Sequence, residues 1–145
     1  HEAIPDPFIE SMFHAMIDAP WHTYQLLTKR APRMARLVPL INRILEARAG
    51  TSEPWPANWW FGVTVESAAQ AGRLTWLRLV PAQVRFISYE PALGPLSGVS
   101  LEGIHWLIAG AESGPGARPM KEEWIREARD LCLQQGVAFF FTSNA

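Results

Sequence analysis

Apolar positions along this chain gather in blocks instead of recurring singly. Five short apolar runs stand out, at residues 23–27, 59–65, 84–88, 104–109 and 137–141, each near the length of a buried strand. Most are continuous, the pattern of a sheet covered on both faces. Amphipathic helical segments lie between most of them, and strand–helix–strand repetition predicts a parallel sheet. The expected fold class is α/β: a mostly parallel sheet of about five strands with flanking helices, resembling a partial (β/α) barrel of the triosephosphate-isomerase type.

Helix signals fill the intervals. Asp6-Pro7 reads as an N-cap followed by a first-turn proline, opening a helix that runs to about Ile17. Residues 32–48 read as a helix interrupted at Pro39 and ended by Gly50, with residues 51–58 as an irregular connection. Ser67-Ala68-Ala69-Gln70 matches a capping box and predicts a helix that stops before Pro81. In the last helix Trp124, Ile125, Ala128, Leu131 and Cys132 share one face, and Gly136 caps it. The Gly-, Pro- and Ser-rich stretch 91–103 joins two strand candidates without a helix.

At 145 residues the chain has the length of one domain, spanning 1–145. Apolar residues at 48% and charged residues at 19% give an ordinary globular balance. Seven tryptophans are many for this length, and such an excess points to buried contact with another chain as well as to a core. A net charge of -1 recruits neither nucleic acid nor an anionic membrane. The small cluster of Lys29, Arg30, Arg33 and Arg36 reads as a solvated helix start. No apolar run reaches the length of a membrane span, and no signal peptide is visible. The single cysteine, Cys132, excludes an internal disulfide and predicts a cytoplasmic setting, where it serves as a core residue. The opening at His1, not a methionine, is expected of a fragment, a processed form or a chain whose first residues are missing.

In parallel βα folds, ligands bind outside the carboxyl ends of the strands. Here the runs end in Thr28-Lys29-Arg30, Thr64-Val65-Glu66, Ser88-Tyr89-Glu90-Pro91, Glu112-Ser113-Gly114-Pro115-Gly116 and Thr142-Ser143-Asn144, so each delivers polar groups to one end. A parallel sheet would bring Glu66, Glu90 and Glu112 within reach of one another. Carboxylates so placed need Lys29, Arg30, Arg118 or a metal to balance them, or one holds a proton. The plainer reading is that Glu66 and Glu90 cap helices or pair with arginines. Residues 112–119, E-S-G-P-G-A-R-P, form a tight turn whose backbone N–H groups, with Ser113 and Arg118, could hold an anion. Gly-Pro-Gly is equally a plain turn. No histidine has a partner at metal-ligand spacing, and no nucleophile elbow is present.

Several short motifs in order carry a resemblance: T-K-R at 28–30, G-V-T-V-E at 62–66, S-Y-E-P at 88–91, L-G-P at 93–95 and G-A-E-S-G-P-G-A-R-P-M at 110–120. Together they resemble the bacteriophage gp-thirty-seven/gp-sixty-eight protein family over nearly the whole chain. The resemblance implies a radical S-adenosylmethionine-like barrel of unknown substrate, encoded on a phage or mobile element. Members of that family carry an N-terminal three-cysteine motif for an iron–sulfur cluster, and this chain begins after it. One cysteine cannot hold such a cluster with an open iron, so the cluster and S-adenosylmethionine are expected only in full-length relatives, and no cofactor is expected on this chain alone. The family's Lys-Gln-Trp-Gly-like ending is replaced by Thr142-Ser143-Asn144-Ala145, which removes a basic strand-end group.

A closed eight-stranded barrel takes about 250 residues, so five strands leave edges and an inner face that need a cover. A homodimer or a missing N-terminal barrel segment would supply it. The expected function is a truncated, non-radical relative that keeps a small-ligand or anion site on Lys29, Arg30, Glu66, Glu90, Glu112, Ser113 and Arg118. Two alternatives stand beside it: a Mg²⁺- or Mn²⁺-dependent phosphate-chemistry enzyme built on the glutamates, and a non-catalytic, partner-binding half-barrel.

Overall fold

A computed structural model describes residues 2–142. Five strands, β1 (Tyr24–Thr28), β2 (Trp59–Thr64), β3 (Val84–Tyr89), β4 (Trp106–Gly110) and β5 (Ala138–Thr142), form one sheet in the order β1-β2-β3-β4-β5. Every neighbouring pair is parallel. The helices are α1 (Asp6–Asp18), α2 (Ala31–Arg36), α3 (Val38–Ala49), α4 (Arg73–Leu77) and α5 (Glu122–Gln135). Right-handed crossovers between parallel strands in unreversed order put the connections on one face, as in a barrel and unlike a doubly wound sheet.

The register separates the two faces. Phe61, Val63, Ile87, Tyr89, Leu107 and Ala109 join helix residues such as Phe13, Ile41, Leu74, Ala128 and Cys132 in one buried cluster. The opposite parity runs Leu27–Gly62–Phe86–Trp106 across four strands. Phe86 is buried yet lies outside that cluster. Its ring covers Gly62, where an added Cβ would come within 2.5 Å of it. Trp106 stands edge-on to Trp60 at 5.8 Å and lies 6.0 Å from Phe86 and 6.4 Å from Phe140. This second face is therefore an aromatic row without helices over it, and Leu27 and Phe140 are half exposed there.

Local signals acted with small displacements. Pro5, not Asp6, is the N-cap of α1, and Asp6 instead accepts from Arg33. The helix predicted to break at Pro39 breaks at Leu37, because Pro39 fits the first turn of α3, where its missing N–H costs nothing. The capping box at Ser67 forms in part. Its Oγ accepts from Ala69 N but donates to Gln70 Oε1, and a 3₁₀ turn (Ala68–Gln70) precedes a separate short α4. Gly50 and Gly136 end α3 and α5 in left-handed conformations.

The long connection 91–103 has no helix, as expected, but it is well held. Leu96, Val99 and Leu101 are buried in it. Arg78 donates to the carbonyls of Ser100 and Glu102, and Arg85 to that of Gly103. Gln135 accepts from Leu101 N and donates to Val99 O. These bonds give the irregular backbone partners that a helix would otherwise have provided.

Candidate functional site at the strand ends

Alternation carries this second, helix-free face past the end of each strand. Lys29 lies two residues after Leu27, Glu66 two after Thr64, Glu90 two after Ser88 and Glu112 two after Gly110. All four positions share the parity of the aromatic row. The side chains then sort into three units along one rim.

At the β2 end, Glu66 is largely enclosed, its side chain 12% exposed. Lys29 Nζ donates to Oε1 at 2.6 Å, and Arg73 Nη1 donates to Oε2 at 2.8 Å and to the carbonyl of Thr64 at 2.5 Å. Burial works against the charge on Glu66, but the Lys29 hydrogen bond, a backbone bond and the charges of Arg73 and Lys29 outweigh it, and its pKa falls below the ordinary value.

The β4 end is pinned by its own loop. Arg118 holds Glu112 in a fork, Nε to Oε2 at 2.7 Å and Nη2 to Oε1 at 2.6 Å, and Arg118 N also donates to Oε2 at 2.9 Å. These hydrogen bonds from the Arg118 side chain and backbone drop the carboxyl to about 2, although its side chain is still 29% exposed. Arg118 is raised in return, first by its bond to Glu112. Lys29 also lowers Glu112, and Glu66 also raises Arg118, so the two units feel each other across the rim. Between them the turn bends at Gly114 (φ 95°) and Gly116 (φ 79°), with Ala117 N donating to Gly114 O. Ser113 is exposed on it.

Glu90 forms the third unit. Thr142 Oγ1 donates to its Oε1 at 2.6 Å. The approach requires Gly110, where a Cβ would collide with both Thr142 Oγ1 and Glu90 Oε1. The 91–103 connection ties these ends together, through Leu93 N to Glu66 O and Ala92 N to Gly110 O, both 2.9 Å.

Parallel strands thus bring Lys29, Glu66, Glu90, Glu112 and Arg118 to one rim. Arg30 does not join them. It precedes α2, lies 3.8 Å from Glu2 and lines a groove beside β1. Arg73 takes the place expected for it. The sequence signal was present, since Arg73 follows Glu66 by seven residues at the start of a helix, but only the short 3₁₀ turn aims it back. Thr142 was visible as a polar strand end, whereas Ser143 and Asn144 lie outside the described residues. The Gly-Pro-Gly turn differs from its expected form too. Of the donors expected to hold an anion, the turn's backbone N–H groups with Ser113 and Arg118, Arg118 already holds Glu112 through its side chain and its own N–H, and α5 starts only at Glu122 with an acidic first turn.

Among the described residues no three His, Cys, Asp or Glu side chains gather where a metal ion could be held. The glutamates are instead separated, each by its own partner. An iron–sulfur cluster does not fit this chain either. Cys132 is buried in α5, and burial pushes its thiol up to about 11, the opposite of what a ligating thiolate needs.

A family model matches residues 1–144. The chain belongs to the family described as proteins of unknown function, DUF5131. No curated protein and no solved structure matches this DUF5131 chain. Among its described residues no helix is long and apolar enough to cross a membrane.

Proposed function

We propose that this chain is the later part of a barrel akin to the gp-thirty-seven/gp-sixty-eight phage proteins, and that its strand-end rim binds a small anionic ligand without radical chemistry. The protein would work in the cytoplasm, on a phage or mobile element. The observation that carries the proposal is the Glu112–Arg118 fork: a preorganised bidentate anion receptor, filled by the chain's own carboxylate and lying within the field of Lys29 and Glu66. In this reading Glu112 stands in for the ligand's anionic group and is displaced by it. Lys29 and Ser113 line the way in, and Glu66 with Arg73 keeps the adjoining wall fixed. Glu90, held by Thr142 over Gly110, forms the floor beside the aromatic row. The open inner face takes a second copy of the chain as its cover.

Calorimetric titration with inorganic phosphate tests the rim. Glu112→Gln removes the internal competitor and should tighten phosphate binding about tenfold, a gain of ~1.4 kcal/mol. Arg118→Ala should abolish binding. Equal affinity in the wild type and in the double variant Glu112→Ala/Arg118→Ala would remove the proposal.

A further inference from the structure

Two hydroxyls on the helix-free face have nothing to bond. Among the described residues Thr64 and Ser88 are the buried polar side chains, each 4% exposed. They stand side by side, because Thr64 pairs in register with Ser88. Both strands are internal to the sheet, β2 lying between β1 and β3, and β3 between β2 and β4. Their carbonyls are used, that of Thr64 by Arg73 and that of Ser88 by Val65 N. Their hydroxyls meet no hydrogen-bond partner among the described residues. Neither oxygen is sealed, however. The side-chain polar atom sealed without a partner there is Trp59 Nε1, so both hydroxyls keep an opening onto the helix-free face. A buried hydroxyl without a partner costs free energy, and valine would fill the place of Thr64 with the same shape and no such cost.

The level of these hydroxyls joins the rim to the aromatic row. Continued across the sheet it runs Lys29, Thr64, Ser88, Ile108 and Phe140: a cation, two hydroxyls, an aliphatic group and a ring. Glu66 and Glu90 stand one two-residue step above, roughly 6–7 Å along a strand. Thr142 occupies Glu90 Oε1, and no donor among the described residues meets Oε2. Two groups that both donate and accept thus lie beside a carboxylate oxygen that only accepts. Such a set complements neighbouring hydroxyls, each of which can donate to one group and accept from the next.

We infer that the ligand of the rim is a phosphorylated polyol, its phosphate at Arg118 and Lys29 and its hydroxyls reaching down to Thr64, Ser88 and Glu90. This rests on the anion reading above and names the class of ligand that fits it. Lys29 starts at the level of the hydroxyls and ends beside Glu66 at the rim, and so spans both parts of such a ligand. The hydroxyls are kept against stability because the polyol, not the protein, completes their hydrogen bonds.

Calorimetric titration with glycerol phosphate and with propyl phosphate, alike in charge and length, separates the two parts. The wild type should bind glycerol phosphate about tenfold more tightly, as two ordinary hydrogen bonds would give. That ratio should fall to about threefold in Thr64→Val and in Ser88→Ala, and to about one in the double variant. Denaturant unfolding should show Thr64→Val to be as stable as the wild type or more so, which a hydroxyl with a structural partner would not allow. Equal binding of the two phosphates by the wild type would overturn the inference and leave the rim standing. A ratio that survives the double variant, or a clear loss of stability in Thr64→Val, would overturn it as well. If neither phosphate binds, the anion reading of the rim and this one fall together.

Discussion

The two faces of this one sheet have opposite economies of burial. On the helix-covered face Val63, Ile87, Leu107 and Ala109 are fully enclosed, and even Cys132 behind them is sealed from solvent. On the other face the same strands present Trp60, Trp106 and Phe140 in a row with no helix above, and these rings pack against one another. Stability therefore resides on one side. At the end of the other, charged side chains continue the bare face. The division follows from strand order, because unreversed parallel crossovers leave the inner face to whatever closes the barrel.

The sharpest test of this contrast removes one aromatic from each face. Trp59→Ala, in the ring cluster with Phe13 and Trp55, should cost about 3–5 kcal/mol in denaturant unfolding. Phe140→Ala, measured at high dilution, should cost about 1 kcal/mol or less, since half of that ring is already wet. Comparable losses would show that the inner face is as much a core as the outer.

A smaller effect is expected where the helix-free face meets the rim. Gly110→Ala places a methyl against Thr142 and Glu90, and should destabilise by about 1–3 kcal/mol through overpacking. Thr142→Ala in the same background relieves half of the collision and should recover part of that loss. No recovery would mean that the slot is closed by something other than these two side chains.

Next comes Glu66→Gln, which leaves Lys29 and Arg73 without their acceptor charge. Arg73 is 25% exposed and Lys29 is 54% exposed, so the first carries most of the effect, with an expected loss of about 1–2 kcal/mol. Arg73→Lys should retain part of the interaction, because both bonds come from the single nitrogen Nη1 and an ammonium also carries several donors, on a stem of different reach.

The smallest effect is a proton equilibrium. The Glu112 carboxyl, held near 2 against an ordinary 4.5, contributes fully above pH 4.5, and its contribution fades as the pH falls toward 2. Carbon-13 NMR titration should place its midpoint near 2 in the wild type and near 4.5 in Arg118→Ala. An ordinary midpoint in the wild type would mean that the fork does not persist in solution.

Much of this was legible in the residues. The continuous apolar runs and the capping glycines identified every strand and the last helix within one or two positions. The even spacing of polar residues after each run pointed to the rim. Two site details were not legible. Arg30 and Arg73 are equally basic in the sequence, and only the turn after β2, with a break at Gly72, aims one inward while α2 carries the other away. Likewise, E-S-G-P-G-A-R-P reads either as a plain turn or as an anion loop, and only the fold shows the loop closing upon its own glutamate.

The chain by itself determined what is periodic and local: strand identity, parallel order, helix ends, and the delivery of charge to one end of the sheet. These follow from side-chain alternation and backbone capping, which act over a few residues. Tertiary structure alone decided which charge meets which, that Gly110 opens a slot for Glu90, and that one face stays bare. Those outcomes depend on distances between segments tens of residues apart, set by sheet register and by the path of each connection.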